Sequence, residues 1–152
     1  MIFAISADFP RQEARPRQRG HAKLPRVSII ILNYNAGALM SRCVTAVLAT
    51  HYPNFEVTVV DNASTDGSVE AIRRDFPGVT VVETGANLGF SRGNNLAMRG
   101  TSAPYIALLN PDTEVDVDWL RPLVEHLDAD PVAGGVGPKI LFSHDRLEAV
   151  LR

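Results

Sequence analysis

With 152 residues, 45% hydrophobic, 21% charged and a formal net charge of −2, the chain is sized and composed for one globular domain with a real core. The near-neutral balance gives no reason to expect nucleic acid as a partner, and no apolar run approaches the roughly 20 residues of a membrane span. The apolar start soon meets Asp8, which reads as no secretory signal, and a lone cysteine, Cys43, excludes an internal disulfide framework and suits a reducing cytosol.

Charge is unevenly placed. Residues 1–26 hold six of the fifteen Lys and Arg and two of the seventeen acids, so residues 27–152 carry a formal charge of −6. The first segment reads as a disordered basic tail, with weak attraction to anionic lipid headgroups as the alternative. From Val27 onward strands and helices alternate. Val27-Ser28-Ile29-Ile30-Ile31-Leu32 is a nearly continuous β-branched run, the pattern of a strand covered on both faces. A helix is expected over 37–50, with Leu39, Cys43, Val47 and Leu48 along one side; Cys43 there reads as a small buried hydrophobe. Tyr52-Pro53 ends it, and a second strand over 55–60 runs into Asp61.

Ser64 to Asp66 supply helix-starting side chains ahead of a helix over 69–76, and Pro77-Gly78 turns the chain into a strand over 79–82. A Gly/Asn-rich loop over 85–89 precedes a helix over 91–98. A further strand over 105–109 leads into Asn110-Pro111-Asp112, followed by a helix over 117–127 and a glycine-interrupted strand within 132–142. Such alternation indicates an α/β fold with a mainly parallel sheet and helices on both faces. Ligands in these sheets bind beyond the carboxyl ends of the strands.

Three polar clusters follow strand ends: Asn33-Tyr34-Asn35, Asp61-Asn62-Ala63-Ser64-Thr65-Asp66-Gly67-Ser68 and Asn110-Pro111-Asp112-Thr113. A parallel sheet brings all three to one edge. A nucleoside diphosphate sugar needs a flat apolar surface and hydrogen-bonding groups for its base, which a carboxylate such as Asp61 can supply to a pyrimidine ring N–H. Its diphosphate needs a cation, a helix start or an arginine. Hard cations accept one protein carboxylate plus phosphate oxygens and water, a role open to Asp112. Asp66 reads as a turn former and Trp119 as core, and Glu114, Asp116 and Asp118 read as a solvated face at a helix N-terminus. The sequon Asn62-Ala63-Ser64 carries little weight without a secretory signal. His21, His51, His126 and His144 lack metal-ligand spacing.

These clusters, with Asn87-Leu88-Gly89-Phe90-Ser91-Arg92-Gly93-Asn94-Asn95, resemble in order the motifs of family 2 glycosyltransferases of the GT-A (Rossmann-like) fold, nearest the bacterial rhamnosyltransferase-like enzymes of cell-envelope polysaccharide synthesis. The resemblance covers 27 to about 142. It implies that Asn33, Tyr34 and Asn35 border the nucleotide, that Asp61 binds its base, and that Gly89 and Arg92 belong to the donor pocket. Asn110-Pro111-Asp112 is similar to the family's Asp-x-Asp motif: Asp112 would hold Mg2+ or Mn2+, and Asn110, in place of the first acid, would meet the ribose. The implied donor is UDP- or dTDP-linked and the acceptor a saccharide or a lipid-linked one. The implied location is the cytoplasm, with peripheral association at the inner face of the membrane as the alternative.

The resemblance also implies inverting displacement with a carboxylate base in an acceptor-binding half. That half is not recognisable after Phe142, and neither Asp145 nor Glu148 reads as the base. The expectation is therefore the N-terminal part of a family 2 domain over 27–152, truncated, with no catalytic residue assigned. A nucleotide-sugar-binding module without turnover is the rival reading. A dinucleotide-binding oxidoreductase would need Gly-x-Gly-x-x-Gly after the first strand, where this chain has Asn33-Tyr34-Asn35-Ala36-Gly37.

Overall fold

The computed structural model describes residues 3–6, 24–130 and 132–140. Its elements are β1 (Phe3–Ser6), β2 (Val27–Asn33), α1 (Ala38–Leu48), β3 (Phe55–Asp61), α2 (Ser68–Asp75), β4 (Thr80–Glu83), α3 (Gly89–Gly100), β5 (Tyr105–Leu109), α4 (Leu120–Ala129) and β6 (Gly135–Val136). They form one sheet in the order β4-β3-β2-β5-β1-β6. The pairs β2–β3, β2–β5 and β3–β4 are parallel, while β1 runs antiparallel to both β5 and β6.

Strand β2 is buried at every position, as its nearly continuous apolar run predicts for a central strand. Its side chains divide between two cores. Val27, Ile29 and Ile31 join Val57, Val59, Ala107 and Leu109 under α1, α2 and α4. Ile30 and Leu32 join Val60 and Ile106 on the opposite face, where Ala97 brings in α3. The expected mainly parallel sheet with helices on both faces is therefore observed.

Several boundaries differ from the sequence expectation, each for a local reason. Helix α4 starts at Leu120, three residues later than expected, because Pro122 has no N–H to give. A start at 120 puts that proline in the first turn, where the N–H has no helical partner anyway. The preceding residues turn instead, with Trp119 N bonded to Asp116 O at 3.2 Å and Asp118 N to Asp116 Oδ1 at 2.9 Å. Helix α3 is longer than expected at both ends; at its start Asn87 Oδ1 accepts from Gly89 N at 2.9 Å and so satisfies a donor there. The strand expected within 132–142 is only β6, two residues long, and residues 141–142 lie outside the described ones.

The expected tail over 1–26 needs correction at both ends. Phe3–Ser6 is a strand, with Phe3 opposite Leu108 and Ser6 opposite Tyr105, which covers the edge of β5 that would otherwise be unpaired. Near β2, the Tyr52 hydroxyl donates to Pro25 O at 2.7 Å and Asn54 Nδ2 to Leu24 O at 2.7 Å. Residues 7–23 and 143–152 lie outside the described ones.

Trp119 is core, as expected, and its indole N–H donates to Thr50 Oγ1 at 2.9 Å in a buried bond joining the end of α1 to the start of α4. Thr50→Val keeps the shape and strands that N–H. The change is expected to cost about 1–3 kcal/mol of unfolding free energy in urea titrations, and an unaltered midpoint would refute the weight given to this bond.

Candidate functional site

The carboxyl ends of β2, β3 and β5 bring the three polar clusters to one edge of the sheet, and Asn33 and Asp61 sit opposite each other in register. Asn33 is fully buried. Its Nδ2 lies 2.9 Å from Asp61 Oδ1, 2.8 Å from Ser68 Oγ and 3.1 Å from Ser64 Oγ. The other Asp61 oxygen accepts from Ser64 N at 3.0 Å. The carboxylate fixes which end of the amide faces it, since an oxygen there would meet an oxygen. Asn33 Oδ1 is consequently buried with no partner among the described residues.

The loops beyond β2 and β3 are laced together above this hub. Asn35 N donates to Ser64 Oγ at 3.0 Å, and Thr65 N donates back to Asn35 Oδ1 at 2.8 Å. Gly37 N donates to Asp66 Oδ2 at 2.7 Å, while the other Asp66 oxygen accepts from Ser68 N and from Ser68 Oγ, at 3.0 and 2.6 Å. Asn35 and Ala63 both hold positive φ, 51° and 65°. Ala63 has no side-chain compensation for that conformation, which costs on the order of 1 kcal/mol and persists because its neighbours are pinned.

Next to the hub, Asn62 ties the β4–α3 loop to the sheet. It is 2% exposed, and its Oδ1 accepts from Leu88 N at 3.2 Å. Its Nδ2 donates to Asn87 Oδ1 and Gly89 O, each at 3.2 Å. That burial closes the sequon reading of this residue. A Cβ on Gly93 would come within 2.5 Å of Leu32 Cδ1 and 3.4 Å of Asn62 Oδ1, so α3 approaches the strand ends as closely as glycine allows.

Between these loops lies a cleft of about 320 Å³, lined by Leu32, Tyr34, Asn62, Asn87, Gly89, Phe90, Asn110 and Pro111. Tyr34 and Phe90 are large and half exposed, at 52% and 55%. Of the expected site residues, Tyr34, Gly89 and Asn110 line the cleft. Asn33 and Asp61 are buried beneath it, and Asn35 belongs to the lacing. Arg92 is exposed on the first turn of α3 and is not a lining residue, and exposed Asp112 follows the lining Pro111 directly. Sequence reasoning missed Asn62, Asn87 and Phe90. Their motif was visible, but nothing in the spacing distinguishes a buried amide from a turn former.

Behind the Asn110-Pro111-Asp112 turn, the Cys43 thiol donates to Asn110 O at 3.6 Å. Burial pushes this thiol up to about 12, so it stays protonated and serves as a weak donor tying α1 to the turn. Among the described residues no group of three or more His, Cys, Asp or Glu is arranged to hold a metal. A metal here would therefore rely on Asp112 together with ligand oxygens and water. That donor set fits Mg2+ or Mn2+ bound with a diphosphate and not a closed all-protein site.

The bonds to Asp66, first that from the Ser68 hydroxyl, hold its carboxyl below the ordinary value of 3.8. Because folding depresses this pKa, the carboxylate's contribution is complete above about pH 4 and is lost as pH falls through the folded value. Asp66→Asn is expected to flatten the acid-side decline of stability. Urea midpoints at about pH 3 and pH 6 test this, and an undiminished decline would contradict it.

Comparison with known proteins bears on the fold and the family. The chain is 30% identical over 124 residues to the N-acetylglucosaminyl-diphospho-decaprenol L-rhamnosyltransferase of Mycobacterium tuberculosis, covering 74% of this chain and 40% of that protein. It is 35% identical over 126 residues to an uncharacterized Sinorhizobium fredii protein, y4gI, covering 80% of this chain and 13% of that one. Among solved structures, a Pyrobaculum calidifontis mannosyltransferase in complex with GDP-Man and Mn2+ superposes with a TM-score of 0.66 at 33% identity, over 70% of this chain and 33% of that chain. TarS of S. aureus in complex with UDP superposes at 0.62 and 21% identity, over 68% of this chain and 32% of that one, which speaks to the fold. The chain thus spans 40% or less of the length of each of these proteins. The fold is GT-A, and with the glycosyl transferase family 2 profile matching residues 28–150, the chain belongs to that family.

Proposed function

We propose that this chain forms the donor-binding part of a glycosyltransferase that moves a sugar from a nucleoside diphosphate to a saccharide or lipid-linked acceptor, with inversion. The observation that carries this reading is the cleft itself. It joins two exposed aromatic side chains, the start of α3 and the Asn110-Pro111 turn, with the Asp112 carboxylate next along the chain. Tyr34 and Phe90 offer faces for a base. The first turn of α3 offers to phosphate the backbone N–H groups that follow Gly89, whose own N–H is held by Asn87, and Asn110 offers an amide to ribose hydroxyls. Arg92, exposed on the first turn of α3, adds a positive charge near that end.

A ring N–H of the base can reach Asp61 only along the carboxylate edge left by Asn33 and Ser64. Positioning the two loops is therefore its larger contribution, and a pyrimidine donor, UDP- or dTDP-linked, is not selected by Asp61 alone. The similar mannosyltransferase carries GDP-Man and Mn2+, so guanosine donors belong in any test.

Asp112 would hold Mg2+ or Mn2+, and when bound the ion supplies positive charge to the departing diphosphate. The acceptor hydroxyl needs a general base, and no described carboxylate is assigned that part. A module that binds the donor without turnover shares this site. A transfer assay separates the two. The donor reading at the inner membrane face is compatible with the basic segment, and no described helix is long and apolar enough to cross a membrane.

Calorimetric titration with UDP, dTDP, GDP and ADP, with and without Mn2+, is expected to show binding that requires the ion. Asp112→Ala should weaken it by about tenfold or more, the scale of one charged ligand lost. Equal binding without metal and in the variant would sink the reading.

A further inference from the structure

Glu114 stands two residues beyond Asp112, in the irregular segment between β5 and α4, yet it belongs to a different part of the surface. From this segment the cleft is lined by Asn110 and Pro111. Glu114 instead lines a second recess, of about 370 Å³, whose other lining residues, Arg42 among them, all come from α1. There its carboxylate pairs with the Arg42 guanidinium. Arg42 is the anchored end of that pair, because Met40, Cys43, Val44 and Val47 seat α1 in the core. The Glu114 carboxylate nevertheless stays near the metal turn. Two residues of chain separate its Cα from that of Asp112 by about 7 Å at most. Burial first, and then the charges of Asp112 and Glu114, push the Cys43 thiol up, so both carboxylates lie in the neighbourhood of one sulfur.

We propose that Arg42 is a positioning residue for the metal site: by pairing with Glu114 it withholds a second carboxylate from a divalent ion at Asp112, so that the ion binds tightly only together with a diphosphate. This rests on the donor-site reading. Hard cations are held more tightly as the number of charged ligands rises. A second acid on the ion would therefore strengthen the binding of metal alone and shrink the share left to the phosphates. With its two side chains 63% and 58% exposed, the Arg42–Glu114 pair is a weak one. Weakness suits the role, because the pair has only to hold Glu114 against an ion whose remaining positions water and phosphate oxygens can fill.

The full chain is titrated with Mn2+, alone and with UDP. Electron paramagnetic resonance reads the free ion, and water-proton relaxation counts the waters kept on the bound one. Arg42→Met is expected to raise the affinity for Mn2+ alone about threefold or more and to remove one water from the bound ion, with the melting temperature kept. The tightening that UDP brings to Mn2+ should shrink in the same variant, as linkage requires of a site that needs the diphosphate less. Glu114→Gln added to Arg42→Met should return both the affinity and the water count to wild-type values, and Arg42→Lys should leave them there. Arg73→Met, which breaks another exposed pair, with Glu83, should change neither. Because the positive charge lost with Arg42 raises cation affinity by itself, the water count decides. An unchanged count in Arg42→Met, or an unchanged affinity for Mn2+ alone, overturns the proposal while UDP-dependent binding of Mn2+ upholds the donor site. A wild-type chain that binds no Mn2+ even with UDP overturns both.

Discussion

A fully buried carboxamide at the end of the central strand has to be hydrogen-bonded or removed, and at Asn33 this requirement organises the whole upper edge of the sheet. Its nitrogen is shared among Asp61, Ser64 and Ser68, so three positions in the β3–α2 segment are set by one side chain on β2. Leaving its oxygen without a described partner costs on the order of 1–3 kcal/mol. The surrounding bonds outweigh that cost only if they form together. Partial formation would leave a buried carboxylate, Asp61, without its donors, which is worse than an apolar strand end. The network is therefore a cooperative unit, and it also sustains the left-handed backbone at Ala63.

The cleft inherits its shape from that unit through Asn62. Asn62 N donates to Asn33 O at 2.9 Å, so the residue that holds the β4–α3 loop is anchored to the same strand end. On the other side, the Asn110-Pro111-Asp112 turn leans on α1 through Cys43. The site's walls thus come from four separate chain segments, yet each is tied to β2 or to the helix that follows it. Rigid strands below and short hydrogen-bonded loops above form the arrangement in which polar groups keep fixed directions toward a ligand.

The sheet and its helices were legible because their signal is redundant. Every second residue of β2 repeats the message of burial, and the crossovers at this spacing admit few topologies. Pro122 shows the limit: the apolar pattern suggested an earlier helix start, and a single missing N–H moved it. Strand β1 was not legible because four residues followed by a basic stretch look like a tail, and only pairing with β5 makes them a strand. In the site, the positions were readable but the division of labour was not. Asp61 and Asp112 are both acids after a strand. One is 2% exposed and bonded to its own loops, the other exposed beside the cleft, and that difference arises from register and depth, which sequence spacing does not encode.

The preponderance of amides around the cleft has its own physical logic. Asn62, Asn87 and Asn110 line it, and Asn33 and Asn35 support it. Amides fix loops as firmly as carboxylates do but add no net charge against a diphosphate. The acids that are present at Asp61 and Asp66 are occupied by the protein's own N–H and O–H groups, which disperses their charge into the scaffold. On the donor-site reading, Asp112, exposed beside the cleft, is the carboxylate that meets a divalent ion. One carboxylate neutralises half of a doubly charged cation and leaves the remainder for the phosphates. A second acid in place of Asn110 would hold the ion more tightly while cancelling more of the charge that a leaving diphosphate needs.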